Sequence, residues 1–208
     1  MKITQETGHY LVKLARLAGE TWVREGKRIK APLPIPEQAK LTMGAFVTVK
    51  KLVYNHHELR GCIGYPIGIA PLVEEIIDLS RESTQRDPRF PPVSPNELDH
   101  IIFEVSILTP PQKINYNNPN ELIQQIEIGK DGLIVKLGRF QGLLLPQVPI
   151  EQGWNVEEFI SYTCRKAWLP PDSWKKEKIE VQKFQGYVFT EKTPRGEIEE
   201  VILSSKAQ

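Results

Sequence analysis

Two strand-like stretches separated by a short turn signal restrict the folds open to this chain more than any other feature. From Ala45 to Val53 the residues alternate, with Phe46, Thr48 and Lys50 on one face and Val47, Val49 and Lys51 on the other. Asn55-His56-His57-Glu58 predicts a turn that returns the chain into a second strand, Leu59-Arg60-Gly61-Cys62-Ile63-Gly64. Strands joined so closely run antiparallel, because parallel neighbours need a crossover of about a dozen residues or more. A strict period of two puts Arg60 and Cys62 on one face of that second strand, with Leu59 and Ile63 turned toward a core.

The flanking segments fit the same plan. Thr4 or Thr7 is placed to cap a first helix whose apolar side is Leu11, Leu14, Ala15, Ala18 and Trp22, and Gly26 ends it. Pro32, Pro34 and Pro36 then impose an extended connector. Pro71 opens a second helix through Leu72, Val73, Ile76, Ile77 and Ser80, which must stop before Pro88. Ile101 to Leu108 reads as a half-buried strand, and Asn118 or Asn120 opens a short helix across Leu122, Ile123 and Ile126. Lys130-Asp131-Gly132 gives a turn signal, followed by strands at Leu133 to Leu137 and Gly142 to Leu145 that form a hairpin around Gly138. Asn155 and Glu158 make a capping box for a helix with Val156, Phe159, Ile160, Cys164, Ala167 and Trp168 on its apolar side. Ile179 to Phe189 is a last strand, and the tail after Thr193 reads as loosely held. Irregular alternation of helices and strands, hairpin-like connections and the lack of a glycine-rich phosphate loop after a strand favour an α+β fold with mainly antiparallel sheets over a doubly wound one.

Composition narrows the function classes. A chain of 208 residues with a formal net charge of +1 has no general field for nucleic acid or an anionic membrane. The polar N-terminal stretch has no secretory core, and no apolar run is long enough to span a bilayer. Only two cysteines, Cys62 and Cys164, are present, too few for a disulfide framework and in keeping with a reducing, cytoplasmic setting, although one disulfide between them stays open. The stretch from Arg165 to Lys178 interleaves Trp168 and Trp174 with basic residues, a pattern that can stack on single-stranded nucleic acid. Asp172 and Glu177 dilute its charge, so nucleic acid is weighed low as a partner.

The chemistry-bearing motif is the second strand. An arginine sharing a face with Cys62 favours the thiolate, which is the nucleophilic and metal-binding form. Gly61 and Gly64 leave the backbone open to close approach. The competing explanation is a small inert thiol packed beside glycines. No metal or other cofactor is expected: no close ligand pair has zinc spacing, and adjacent His56 and His57 on a strand point to opposite faces. Cys164, four residues after Ile160 and four before Trp168, reads as core.

Five short motifs occur in the order Leu59-Arg60-Gly61-Cys62-Ile63-Gly64, Asp87-Pro88-Arg89-Phe90-Pro91-Pro92, Glu104-Val105-Ser106, Gly129-Lys130-Asp131-Gly132 and Leu144-Leu145-Pro146-Gln147-Val148. With Gln152-Gly153-Trp154 and Cys164-Arg165-Lys166-Ala167, this order resembles the AMMECR domain family over nearly the whole chain. The resemblance implies one domain across residues 1–208, built as two-layer α+β lobes of unequal size with a cleft between them, at a boundary the sequence does not place. It imports no activity, because the family lacks an established biochemical function. Associations of the family with a dioxygenase-like protein and a radical-SAM protein point to a shared pathway. The helix before the second motif, alanine-rich in the family, here carries Ser80, Ser83 and Thr84, which are small enough to keep close packing.

Two functional readings stay open. In one, the protein is an enzyme whose cleft is lined by Arg60, Gly61, Cys62, Gly64, Asp87, Arg89, Lys130, Asp131 and Gln147. Cys62 would be the nucleophile or redox thiol, Arg60 and Arg89 would hold a small anionic ligand, and Asp131 would serve as acid or base. Each assignment has a plainer counterpart: a clamp for Asp87 and Arg89 with Phe90 plugging the core, a turn for Lys130 and Asp131, a buried amide pinning one lobe to the other for Gln147. In the second reading the protein is a non-catalytic binding module for a protein partner or a small ligand.

Overall fold

A computed structural model describes residues 2–53 and 56–201. In chain order the elements are α1 (Gln5–Glu25), β1 (Gly44–Val53), β2 (His56–Tyr65), α2 (Leu72–Gln85), β3 (Ile101–Leu108), β4 (Gln112–Lys113), α3 (Pro119–Gln124), β5 (Asp131–Leu137), β6 (Phe140–Leu144), α4 (Gln147–Gln152), α5 (Val156–Lys166), α6 (Ser173–Lys176), β7 (Glu180–Glu191) and β8 (Ile198–Val201), with 3₁₀ turns at Glu37–Lys40 and Pro95–Glu97. Every strand pair with an assigned register is antiparallel, so the chain has the α+β class expected of it. Two compact units divide the chain, one holding residues 2–108 and 187–201, the other residues 109–186.

The first unit is a sheet in the order β2-β1-β3-β7, with β8 paired to β7. Thr4 caps α1 by accepting the Thr7 N–H, and Gly26 closes it at φ 65 in the left-handed region that glycine enters freely. Leu11, Leu14, Ala15 and Ala18 of α1 and Leu72, Ile76 and Leu79 of α2 bury against Ala45, Val47, Val49, Phe103, Val105 and Ile107 of the sheet. One sheet face is therefore the core, and the alternate residues point away from the helices. Inside this core Arg16 is ion-paired with Glu191, donates to the carbonyls of Leu98 and Ile101, and lies over the Phe103 ring; Glu191 also accepts the Phe103 N–H. All the donors around the Glu191 carboxylate are thus placed by other elements, which is what a buried charge requires.

The second unit has β5 between β6 and the first half of β7, with β4 also on β7. Its core is Leu133, Val135, Phe159, Ile160, Cys164, Trp174 and Val181, with Ala167. Asn155 and Glu158 form the expected capping box of α5.

Several expectations are corrected. Asp131 and Gly132 belong to strand β5, and the turn lies just before them. The segment after Thr193 is not loose up to Val201, since β8 pairs with β7. His56, His57 and Glu58 lie in β2 rather than in a turn, and the link at residues 54–55 is outside the described residues. Trp168 falls beyond the end of α5 and is 87% exposed, so it does not extend that helix's apolar side. Leu59, expected in the core, is exposed, for a reason that also reorganises the site.

Candidate functional site

The β1–β2 register shifts between Val49 and Lys50: Val49 lies opposite Gly61 and Lys50 opposite Leu59. Arg60 is the extra residue of a β-bulge, and the period-two alternation breaks there. Leu59 comes onto the side of Lys50 and Cys62 instead of the core, and Arg60 does not share an undistorted face with Cys62. Its guanidinium donates to Glu97 at 2.9 and 3.2 Å and to the Pro92 carbonyl at 3.3 Å. Glu97 also accepts from the Ser94 N–H and hydroxyl. Arg60 foremost, with the Ser94 backbone, pulls the Glu97 carboxyl down to about 2 against the opposing effect of burial.

Cys62 is held through its backbone. β2 is the edge strand of its sheet, where alternate N–H and C=O groups have no strand to meet. Asp87 Oδ2 accepts the Cys62 N–H at 2.8 Å, and Arg89 Nη2 donates to the Cys62 carbonyl at 3.1 Å. Asp87 in turn accepts from the Arg89 N–H, Nε and Nη2 at 3.1, 2.9 and 2.6 Å. The second motif thus completes the edge of the first as a neighbouring strand would. The Arg89 guanidinium holds the Asp87 carboxyl far below the usual carboxylate range even though burial opposes this, and the backbone donors of Cys62 and Arg89 add to the effect. Pro88 and Arg89 form a turn closed by the Phe90 N–H, which donates to the Asp87 carbonyl at 3.1 Å, and the fixed φ of proline suits the second position of that turn. Phe90 is half-buried under the Arg89 guanidinium, 5.5 Å from it, and does not plug the core.

The small residues around the motif have packing reasons. A Cβ on Gly61 would stand 2.1 Å from the Ser83 carbonyl oxygen of α2, so the helix backbone rests directly on β2. Ser80, Ser83 and Thr84 turn their hydroxyls back onto carbonyls of their own helix, which lets these polar residues serve at that contact. A Cβ on Gly64 would meet the Ala45 carbonyl and the Phe46 ring.

The Cys62 side chain lies opposite Thr48, whose Oγ1 donates to Sγ at 3.3 Å. Thr48 is also opposite Glu104 on β3, and Lys50 Nζ reaches Glu104 Oε2 at 2.6 Å. Thiol, hydroxyl, carboxylate and ammonium therefore stand together on the sheet face turned away from α1 and α2. Sequence reasoning missed this group as a site. Strand alternation placed Thr48 with Lys50, and Glu104 stood in a quoted motif, but only the register brings them beside Cys62.

Lys130, Asp131 and Gln147 belong to the second unit. Asp131 is buried; Oδ2 accepts the Glu127 N–H at 3.0 Å and approaches Lys183 Nζ at 3.4 Å, while Oδ1 is buried with no hydrogen-bond partner among the described residues. Lys130 Nζ donates to Glu127 at 2.8 Å. Gln147 opens α4 and is half-buried. Both cysteines are free thiols, and burial pushes Cys164 up to about 11. Among the described residues no group of three or more His, Cys, Asp or Glu is placed to hold a metal ion, and no helix is long and apolar enough to cross a membrane.

An antiparallel α+β chain whose edge-strand cysteine is clamped by an Asp-Pro-Arg segment is a defined class, and the comparisons with known proteins place it. The AMMECR1 family model matches residues 12–189, and the chain belongs to that family. A protein of Pyrococcus horikoshii, PH0010, is 48% identical over 200 residues, covering 95% of this chain and 96% of its own. A protein of Methanopyrus kandleri, MK0488, is 46% identical over 206 residues, covering 99% of this chain and 98% of its own. The crystal structure of PH0010, described as an uncharacterized protein, matches with a TM-score of 0.81 at 47% identity, covering 98% of this chain and 100% of that one. No specific function is established among these relatives.

Proposed function

We propose that the protein binds a small molecule on the Cys62-bearing face of its first unit and acts on it through the Cys62 thiol. The observation that carries this reading is that both backbone polar atoms of Cys62 are held by Asp87 and Arg89, while its side chain is left half-buried on the face away from the core. A reactive group works best when its position is fixed during folding rather than at each encounter. In this reading Asp87, Arg89 and Arg60 are positioning residues, their charges already matched by one another or by Glu97. Thr48, Lys50 and Glu104 supply the polar contacts to the ligand. Asp131 shapes the turn that precedes β5. The anion-holding role first expected of the arginines is dropped, because Arg60 and Arg89, like Lys50 on the Cys62 face, are each matched by a carboxylate.

The competing reading, a non-catalytic module, draws on the close seat of Gly61 against Ser83, which makes a bulky residue hard to place nearby. Alkylation with iodoacetamide across a pH series, followed by peptide mass spectrometry, separates them. Cys62 is expected to label in the folded protein while Cys164, fully buried, labels only on unfolding. Should Cys62 be protected as long as Cys164, thiol chemistry is excluded and the module reading takes its place.

A further inference from the structure

The C-terminal end of α5, in the second unit, carries a feature the thiol site does not use. Leu169 N–H donates to the Cys164 carbonyl and Trp168 N–H to the Arg165 carbonyl, which makes a Schellman ending. The left-handed position in such an ending normally belongs to glycine, yet here it is Trp168 at φ 61. Its indole is 87% exposed, so packing does not explain the strained backbone. A bulky residue kept against backbone preference and facing solvent points to a surface role.

The surroundings indicate the partner's chemistry. A Cβ on Gly142 of β6 would stand 2.3 Å from the Ala167 N–H nitrogen, so this strand runs directly beside the end of α5. Phe140, two residues earlier on the same strand and 39% exposed, therefore has its Cα within about 16 Å of that of Trp168, from the rise of a strand and the Cα spacing. Three exposed cations flank these rings: Arg139, whose guanidinium lies over one face of the Phe140 ring at 5.4 Å and leaves the other face for stacking, Arg165 over the Tyr162 ring, and Lys166. Among the described residues none of the three is ion-paired, whereas Lys175 is paired with Glu157 and Lys176 with Asp172. The groove along α5, about 480 Å³, has Glu157 and Glu158 at its far end, so negative charge is disfavoured there and welcome only near Arg165.

We propose that Trp168 and Phe140 form a stacking platform for a short single-stranded stretch of nucleic acid, whose phosphates pair with Arg139, Arg165 and Lys166. Two exposed rings within the span of a few nucleotides, interleaved with unpaired cations, match what such a strand offers: flat bases alternating with regularly spaced charges. An acidic peptide would satisfy the cations but leave the exposed indole unexplained. This platform lies in a different unit from Cys62 and does not depend on the thiol reading.

The test is fluorescence anisotropy of labelled oligo(U) and oligo(dT) with the full chain, with labelled poly-glutamate as the acidic competitor. The informative variant is Trp168→Gly, which removes the platform and places the favoured residue at the left-handed position, so thermal stability should hold or rise. Binding that weakens with salt and falls about fivefold or more in Trp168→Gly supports the proposal; the tighter of the two oligonucleotides assigns RNA or DNA. Arg165→Gln should weaken binding with a shallower salt dependence. Lack of binding to either oligonucleotide at low salt overturns the proposal, as does binding indifferent to Trp168→Gly or binding of poly-glutamate in preference to both.

Discussion

Replacing Asp87 with alanine tests the clamp on Cys62 most directly. The carboxylate accepts four hydrogen bonds, from the Cys62 N–H and from the Arg89 N–H, Nε and Nη2. Removing it strands a half-buried backbone donor at Cys62, which costs about 1–3 kcal/mol. The ion pair adds little: the Arg89 side chain is 53% exposed, and pairs of that kind contribute about 0–1 kcal/mol. Asp87→Ala should therefore lower stability by about 1–4 kcal/mol at neutral pH. The loss should also depend on pH with a definite sign. Because Arg89 holds the folded-state pKa far below the unfolded value of about 3.9, the unfolded chain binds the proton first on acidification. The wild-type advantage is thus fully present above about pH 5 and narrows by about 1.4 kcal/mol per pH unit below about pH 3.9. Urea unfolding followed by tryptophan fluorescence, at pH 7 and pH 3, measures both effects. A variant within about 0.5 kcal/mol of wild type, or a difference of equal size at the two pH values, would refute the clamp.

Two further perturbations probe the same unit. Gly61→Ala brings a methyl group to 2.1 Å from the Ser83 carbonyl oxygen, a contact between two backbones that cannot swing aside, and should cost about 1–3 kcal/mol in the same unfolding assay; a stability equal to wild type would mean that α2 does not rest on β2. Glu191→Ala removes the buried partner of Arg16, leaving it Glu20 and the Leu98 and Ile101 carbonyls, strips the Phe103 N–H of its acceptor, and should cost about 3–5 kcal/mol, read as a lowered thermal midpoint.

Some of this architecture is written locally and was legible in the chain. The Thr4 cap, the Gly26 ending, the Asn155–Glu158 capping box and the hairpin around Gly138 each depend on residues within a few positions of one another. The order of five short motifs was enough to indicate the family, and the residues forming the clamp were all among those singled out. Their roles were not legible. Arg60 and Arg89 read as cations free to hold an anion because their carboxylate partners, Glu97 and Asp87, are identified only by where the chain folds.

The Cys62 site shows where the division falls. The sequence by itself determines that Leu59 to Gly64 is extended, since β-compatible residues and alternation act over single residues. Which face each residue takes was decided by one unpaired residue in the β1–β2 register, and register is a property of two strands together. The bulge at Arg60 separated the arginine from the thiol, exposed Leu59, and brought Thr48 and Glu104 into line with Cys62. Likewise Asp87, 25 positions from Cys62, reaches its N–H only because α2 carries the chain back along the open sheet edge. Local propensity set the elements; the pairing of distant backbone groups, each needing a partner once buried, decided which side chains became the site.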